Sequence, residues 1–132
     1  MKFSSGISIR GTVVRGDQYG RVLGFPTANV DRRQYVRQKM DMQLGVYAGW
    51  AEIAGSSRQP TARNYKAGIV IGPIDKRGLP KIEAHLIGFT GNLYGKKITL
   101  SLKKFIRPWK NFKGMEELKA QIKKDIKTIK QA

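Results

Sequence analysis

Segments of this chain alternate strictly between apolar and polar side chains, and that period excludes an all-helical fold. In Lys81 to Ile87, KIEAHLI, the side chains of Ile82, Ala84 and Leu86 fall on one face and those of Glu83 and His85 on the other. Lys97 to Phe105, KITLSLKKF, repeats the pattern with Ile98, Leu100 and Leu102. Ser8 to Val14 does so with Ile9 and Val13 apolar and Arg10 and Thr12 between them, after an apolar Ile7. A period of two is that of a strand with one buried face. Val46 to Ile53 and Ala67 to Ile71 read as further strands, and Gly49 within the first marks a bulge or a close backbone approach. Residues 54–66 read as a hairpin connection, 73–80 as a charged loop, 34–42 as a loop or short helical turn, and Gly91-Asn92 as a turn. Five or six strands joined by short turns predict an antiparallel sheet or small barrel.

The C-terminus changes period. Met115, Leu118, Ile122, Ile126 and Ile129 recur every three or four residues, with lysines on the remaining face. This is an amphipathic helix. Gly114 stands at its N-cap, and Glu116 and Glu117 suit the positive end of its dipole.

At 132 residues the chain suits one domain, 1–132, with one core. It has no cysteine, which removes disulfide scaffolds, thiolate zinc sites and cysteine nucleophiles. No apolar run approaches the roughly 18–20 residues of a membrane helix, and the N-terminal stretch lacks the apolar run of a signal peptide. A cytoplasmic protein without a membrane partner is expected. The formal charge of +17 makes a field that attracts polyanions, so nucleic acid is a candidate partner; lysines on a solvated surface are the plainer reading.

Chemistry concentrates in three places. Gly16 to Gly24 carries three glycines in nine positions, too many for a regular element, and runs into the stretch GRVLGFPTANV, residues 20–30. Such a loop is an ordinary turn, or it lets backbone N–H groups approach a phosphate, with Arg15 and Arg21 alongside. It lacks the Walker A pattern. Pro26 stiffens the segment, and Thr27 and Asn29, two apart, then face one side. A hydroxyl and an amide oxygen suit Mg²⁺ that also holds phosphates. Glu83, on the non-core face of its strand, is either a solvated carboxylate or a base for phosphoryl transfer. His85 is its neighbour or an ordinary strand residue. In FIRPWKNF, residues 105–112, aromatics alternate with Arg107 and Lys110, as in a ring-stacking loop or a loop that caps the core.

Together these segments resemble the ATP-dependent riboflavin kinases, both the stand-alone enzymes and the kinase module of bacterial bifunctional FAD synthetases. The resemblance runs from about Gly11 to Ile126. It rests on GTVVRG leading to the PTAN of GRVLGFPTANV, on GVYAGW, on the E-x-H-L of IEAHLIGFTGNLYGKKI, and on FIRPWKNF with the helix after it. It implies a mainly β fold, a six-stranded antiparallel Greek-key barrel with a C-terminal α-helix. It also implies transfer of the γ-phosphoryl group of ATP to the 5′-hydroxyl of riboflavin, giving FMN and ADP. Thr27 would ligate Mg²⁺ (or Zn²⁺ or Mn²⁺), with Asn29 beside the metal and phosphates as a second catalytic residue. Glu83 would take the 5′-hydroxyl proton at the flavin site. Gly16, Gly20 and Arg21 would form the phosphate loop, Tyr94 would lie near the nucleotide, and Arg107 over the flavin. A monomer is expected. Without an adenylyltransferase segment before residue 11, FAD synthesis is not expected. The stretch IGPIDKRGLPK, 71–81, lacks the family's usual pattern after its glycine.

Two other classes stay open on the sequence. One is a basic β-barrel that binds nucleic acid through FIRPWKNF and the lysine-rich helix. The other is a flavin or nucleotide sensor without turnover, for which the Glu83 carboxylate has no use.

Overall fold

The computed structural model describes residues 7–15 and 27–132. In chain order these form β1 (Ile7–Val14), β2 (Ala28–Val30), α1 (Arg33–Arg37), β3 (Gly45–Ile53), β4 (Arg63–Ile74), β5 (Pro80–Leu86), β6 (Lys97–Pro108) and α2 (Met115–Gln131). The strands close into a barrel in the order β1-β2-β5-β4-β3-β6, every pair antiparallel. Strands β3, β4 and β5 form a meander and β6 returns beside β3, which is the Greek-key order.

The alternation seen in the sequence is the inside–outside alternation of this barrel. Ile9, Ala51, Ile69, Ala84 and Leu100 are all completely buried inside it. Closure leaves β1 and β6 paired from Ile7 opposite Leu102 to Thr12 opposite Lys97, so these strands present no free edge to each other.

Some boundaries differ from the sequence reading. Strand β4 starts at Arg63 and runs to Ile74, taking in the end of the expected hairpin connection and the start of the expected loop. Its added residues do not alternate in hydropathy. Arg63 to Lys66 are strand because β3 offers them backbone partners as far as Ile53 opposite Arg63, and the far end pairs instead with β5, Ile74 opposite Pro80. Residues 33–37 form one short helix, α1.

Gly49 fulfils both expectations made for it. The β3–β6 register shifts between Ala48 and Gly49. A Cβ on Gly49 would lie 1.9 Å from the Ser101 carbonyl oxygen, so β6 backbone occupies the space of any side chain. Gly49→Ala is expected to destabilise the fold by about 1–3 kcal/mol, read as a lower urea midpoint at unchanged slope.

A pair between Arg32 and Asp75 fastens the segment after β2 to the β4–β5 turn, with 2.5 Å between guanidinium and carboxylate. Asp75 also accepts from the backbone N–H groups of Arg77 and Leu79. The Arg32 hydrogen bond, helped by those two, lowers the Asp75 pKa from 3.8 to about 2. A lowered carboxylate stabilises the fold above its unfolded pKa and loses that contribution as pH falls toward its folded one. The stability gap between wild type and Asp75→Asn should therefore be full at pH 5 and shrink between about pH 4 and 2, measured by urea unfolding across that range.

Candidate active site

Strand β2 pairs with β5 so that Ala28 lies opposite Ala84 and Asn29 opposite Glu83. Both alanines point into the core, so Asn29 and Glu83 face outward side by side. His85 shares that outer face, one pleat along β5. Just before β2, Thr27 donates its hydroxyl hydrogen to Glu83 Oε1 at 3.1 Å, across 56 residues of sequence. Two residue types singled out in separate motifs thus form one contact.

Two clefts meet here. The first, about 490 Å³, lies between the outer face of β4–β5 and the inner side of α2, closed by residues 109–114. Its walls are largely apolar, among them Val46, Val70, Trp109, Phe112, Leu118 and Ile122, with Glu83 and Lys81 on the barrel side. The second, about 770 Å³, lies between the ends of β1, β2 and β5 and the 89–94 turn. Asn29, Arg15 and Tyr94 line it. The Arg15 guanidinium stands 4.9 Å from the Tyr94 ring centroid. Thr27 and His85 belong to both clefts. The first cleft has walls suited to a flat apolar ring and the second to a polar anionic ligand, and both reach Thr27, which is bonded to Glu83.

The helix stripe behaves differently from an ordinary core face. Ile129 packs on Val46 and Ala48, but Leu118, Ile122 and Ile126 are only half-buried and wall the first cleft, and Met115 is 42% exposed. An apolar face left partly uncovered in this way suits a ligand wall.

Arg107 lines the first cleft, yet its charge is engaged by the protein itself. Its Nε donates to Asp125 Oδ1 at 3.0 Å and its Nη2 to Asp125 Oδ2 at 2.8 Å, a two-pronged pair. Gln121 Nε2 donates to the same carboxylate at 2.9 Å. The guanidinium also lies 5.7 Å from the Phe112 ring centroid, on the segment that closes the cleft. Asp125 did not emerge from the sequence. Its signal was there: a carboxylate on the apolar arc of the helix, three residues after Ile122 and four before Ile129.

Of the other expected site residues, Tyr94 lines the second cleft, whereas Gly16, Gly20 and Arg21 lie outside the described residues. Among the described residues no three His, Asp or Glu side chains gather as a metal site. A hydroxyl and an amide oxygen fit instead a cation that takes its remaining ligands from phosphates and water. Because the Thr27 hydroxyl uses its hydrogen toward Glu83, both its lone pairs stay available to such a cation.

The family model Flavokinase, described as riboflavin kinase, matches residues 4–132. The chain belongs to the riboflavin kinase family. It is 37% identical over 124 residues to a bifunctional riboflavin kinase/FMN adenylyltransferase of Escherichia coli, covering 94% of this chain and 37% of that protein. It is 36% identical over 125 residues to the RNA-binding riboflavin kinase RibR of Bacillus subtilis, covering 92% of this chain and 49% of that one. The crystal structure of riboflavin kinase from Trypanosoma brucei superposes with a TM-score of 0.71 at 24% identity, over 94% of this chain and 77% of that one. The chain thus spans less than half the length of these two curated relatives, and the solved structure has the same fold. No described helix is long and apolar enough to cross a membrane.

Proposed function

We propose that residues 1–132 act as a riboflavin kinase unit, moving the γ-phosphoryl group of ATP to the 5′-hydroxyl of riboflavin. The observation that carries this reading is the 3.1 Å contact between Thr27 and Glu83 at the seam of the two clefts. The isoalloxazine ring occupies the apolar cleft under α2, and ATP the cleft beside Asn29, Arg15 and Tyr94. The ribityl chain then runs along the outer face of β5 to Glu83.

In the transfer, the 5′-oxygen forms a bond to the γ-phosphorus as the bond from that phosphorus to the β-phosphate oxygen breaks, releasing ADP. The hydroxyl proton passes to Glu83. A loose phosphoryl-transfer transition state demands positioning and charge neutralisation above all. Glu83 is fixed by Thr27 on one side and by its strand on the other, so it needs no search to reach the hydroxyl. Thr27 and Asn29 would hold Mg²⁺, with Zn²⁺ or Mn²⁺ as alternatives, and the cation when bound neutralises phosphate charge. A monomer in the cytoplasm, where ATP is the donor, goes with this reading.

The test is direct. Incubation with riboflavin, ATP and Mg²⁺ should yield FMN by chromatography, and its absence overturns the proposal. Thr27→Ala should weaken nucleotide binding only when Mg²⁺ is present. Mg²⁺ titrations of nucleotide binding that superimpose for variant and wild type would remove Thr27 from the metal site.

A second reading, nucleic-acid binding alongside catalysis, draws on the charge of +17 and on the RNA-binding relative.

A further inference from the structure

Substrate binding accounts for few of the basic residues. Of those described, the two clefts use Arg15, Lys81, Arg107, Lys110 and Lys113. The chain carries 26 Lys and Arg in all, so the field of the molecule is made mainly elsewhere.

We propose that the outer face of β1, β6 and β3 binds single-stranded nucleic acid, with Trp50 as the platform on which a base stacks. This gives a place to the nucleic-acid reading and rests on it. The register sets Ser8, Ser101, Trp50 and Lys66 in one cross-strand row. The next row holds Arg10, Thr99, Glu52 and Asn64. Their chain neighbours Ile9, Leu100 and Ala51 are wholly buried, so these rows face outward. Trp50 is 43% exposed, and its partners on β6 and β1 are serines, too short to cover an indole ring.

Cations flank the Trp50 row along the sheet. Arg10 and Lys97 are exposed on one side. On the other, Lys103 and Lys104 are both exposed although they are consecutive, because the register shift at Ala48/Gly49 breaks the alternation of β6. Lys66, next to Trp50, donates to the carbonyl oxygens of Lys130 and Ala132, and so brings the lysine-rich end of α2 to the same face. Glu52 is the one acid in the two rows. An open aromatic ring bordered by cations on a sheet face suits a strand whose bases are unpaired, since duplex bases offer no free ring to stack on.

The surface is separate from the two clefts, since none of Arg10, Trp50, Lys97, Lys103 and Lys104 lines either one. The test uses the full chain and a labelled oligouridylate, followed by anisotropy at several salt concentrations. Trp50→Ala should weaken binding about tenfold, and Trp50→Phe should retain most of it. The Lys103→Gln/Lys104→Gln double variant should bind more weakly, with a log–log salt slope shallower by about 1.4. FMN formation should be unchanged in all three. If the oligonucleotide does not bind at physiological salt, the nucleic-acid reading falls and this surface with it. If it binds but these variants match wild type, the strand lies elsewhere and the face is wrongly assigned. If anionic phospholipid vesicles bind through Trp50 and the oligonucleotide does not compete, the partner is a membrane surface and the proposal is overturned. A failure to make FMN would bear on the kinase reading alone.

Discussion

Glu83→Gln should lower kcat for FMN formation by about 10²–10⁴-fold and leave ATP affinity near wild type. The amide keeps the size of the carboxylate and can still accept from Thr27, so the cleft walls stay in place. What it loses is the capacity to take a proton as the new oxygen–phosphorus bond forms. On the proposed reading ATP lies on the other side of the seam, in the cleft lined by Asn29, Arg15 and Tyr94, and its binding does not depend on that proton. The separation is the informative part: a fall in kcat with a parallel loss of ATP binding would make Glu83 a structural or metal-site residue. Turnover close to wild type would exclude it as the base.

Arg107→Ala should cost about 3 kcal/mol of stability and weaken riboflavin binding together. Asp125 is only 7% exposed, and without the guanidinium its charge would keep the Gln121 amide as the hydrogen-bond donor described for it. An uncompensated buried charge is more costly than the lost attraction alone. The binding loss follows from position. The pair joins α2, one wall of the apolar cleft, to the end of β6, from which the 109–114 segment that closes the cleft departs. Arg107→Ala combined with Asp125→Asn should recover much of the stability, because no stranded charge remains. If the double variant also regains riboflavin affinity, measured by quenching of flavin fluorescence, Arg107 acts on the flavin only by holding the wall. If affinity stays low while stability returns, the guanidinium touches the ligand as well.

The barrel was legible because a period of two can be read without partners. Ile82, Ala84 and Leu86 declare a buried face whichever strand lies beside them. Strand ends were less legible, as β4 shows: Arg63 to Lys66 are strand because of the backbone of β3, a neighbour that local sequence does not name. The helix stripe was read correctly as apolar, but whether it meets protein or ligand depends on how far α2 stands from the barrel.

Pattern alone determined strands β1, β3, β5 and β6 and the middle of β4, the amphipathic C-terminal helix, the excess of positive charge, and the outward placement of Glu83 and His85 on β5, because each follows from side-chain order along a backbone of known period. Tertiary structure alone decided that Thr27 reaches Glu83 across 56 residues, that Asp125 neutralises Arg107, and that Trp50 lies open among lysines. Those facts depend on the register between strands distant in sequence and on a helix laid across them, and no local period encodes either.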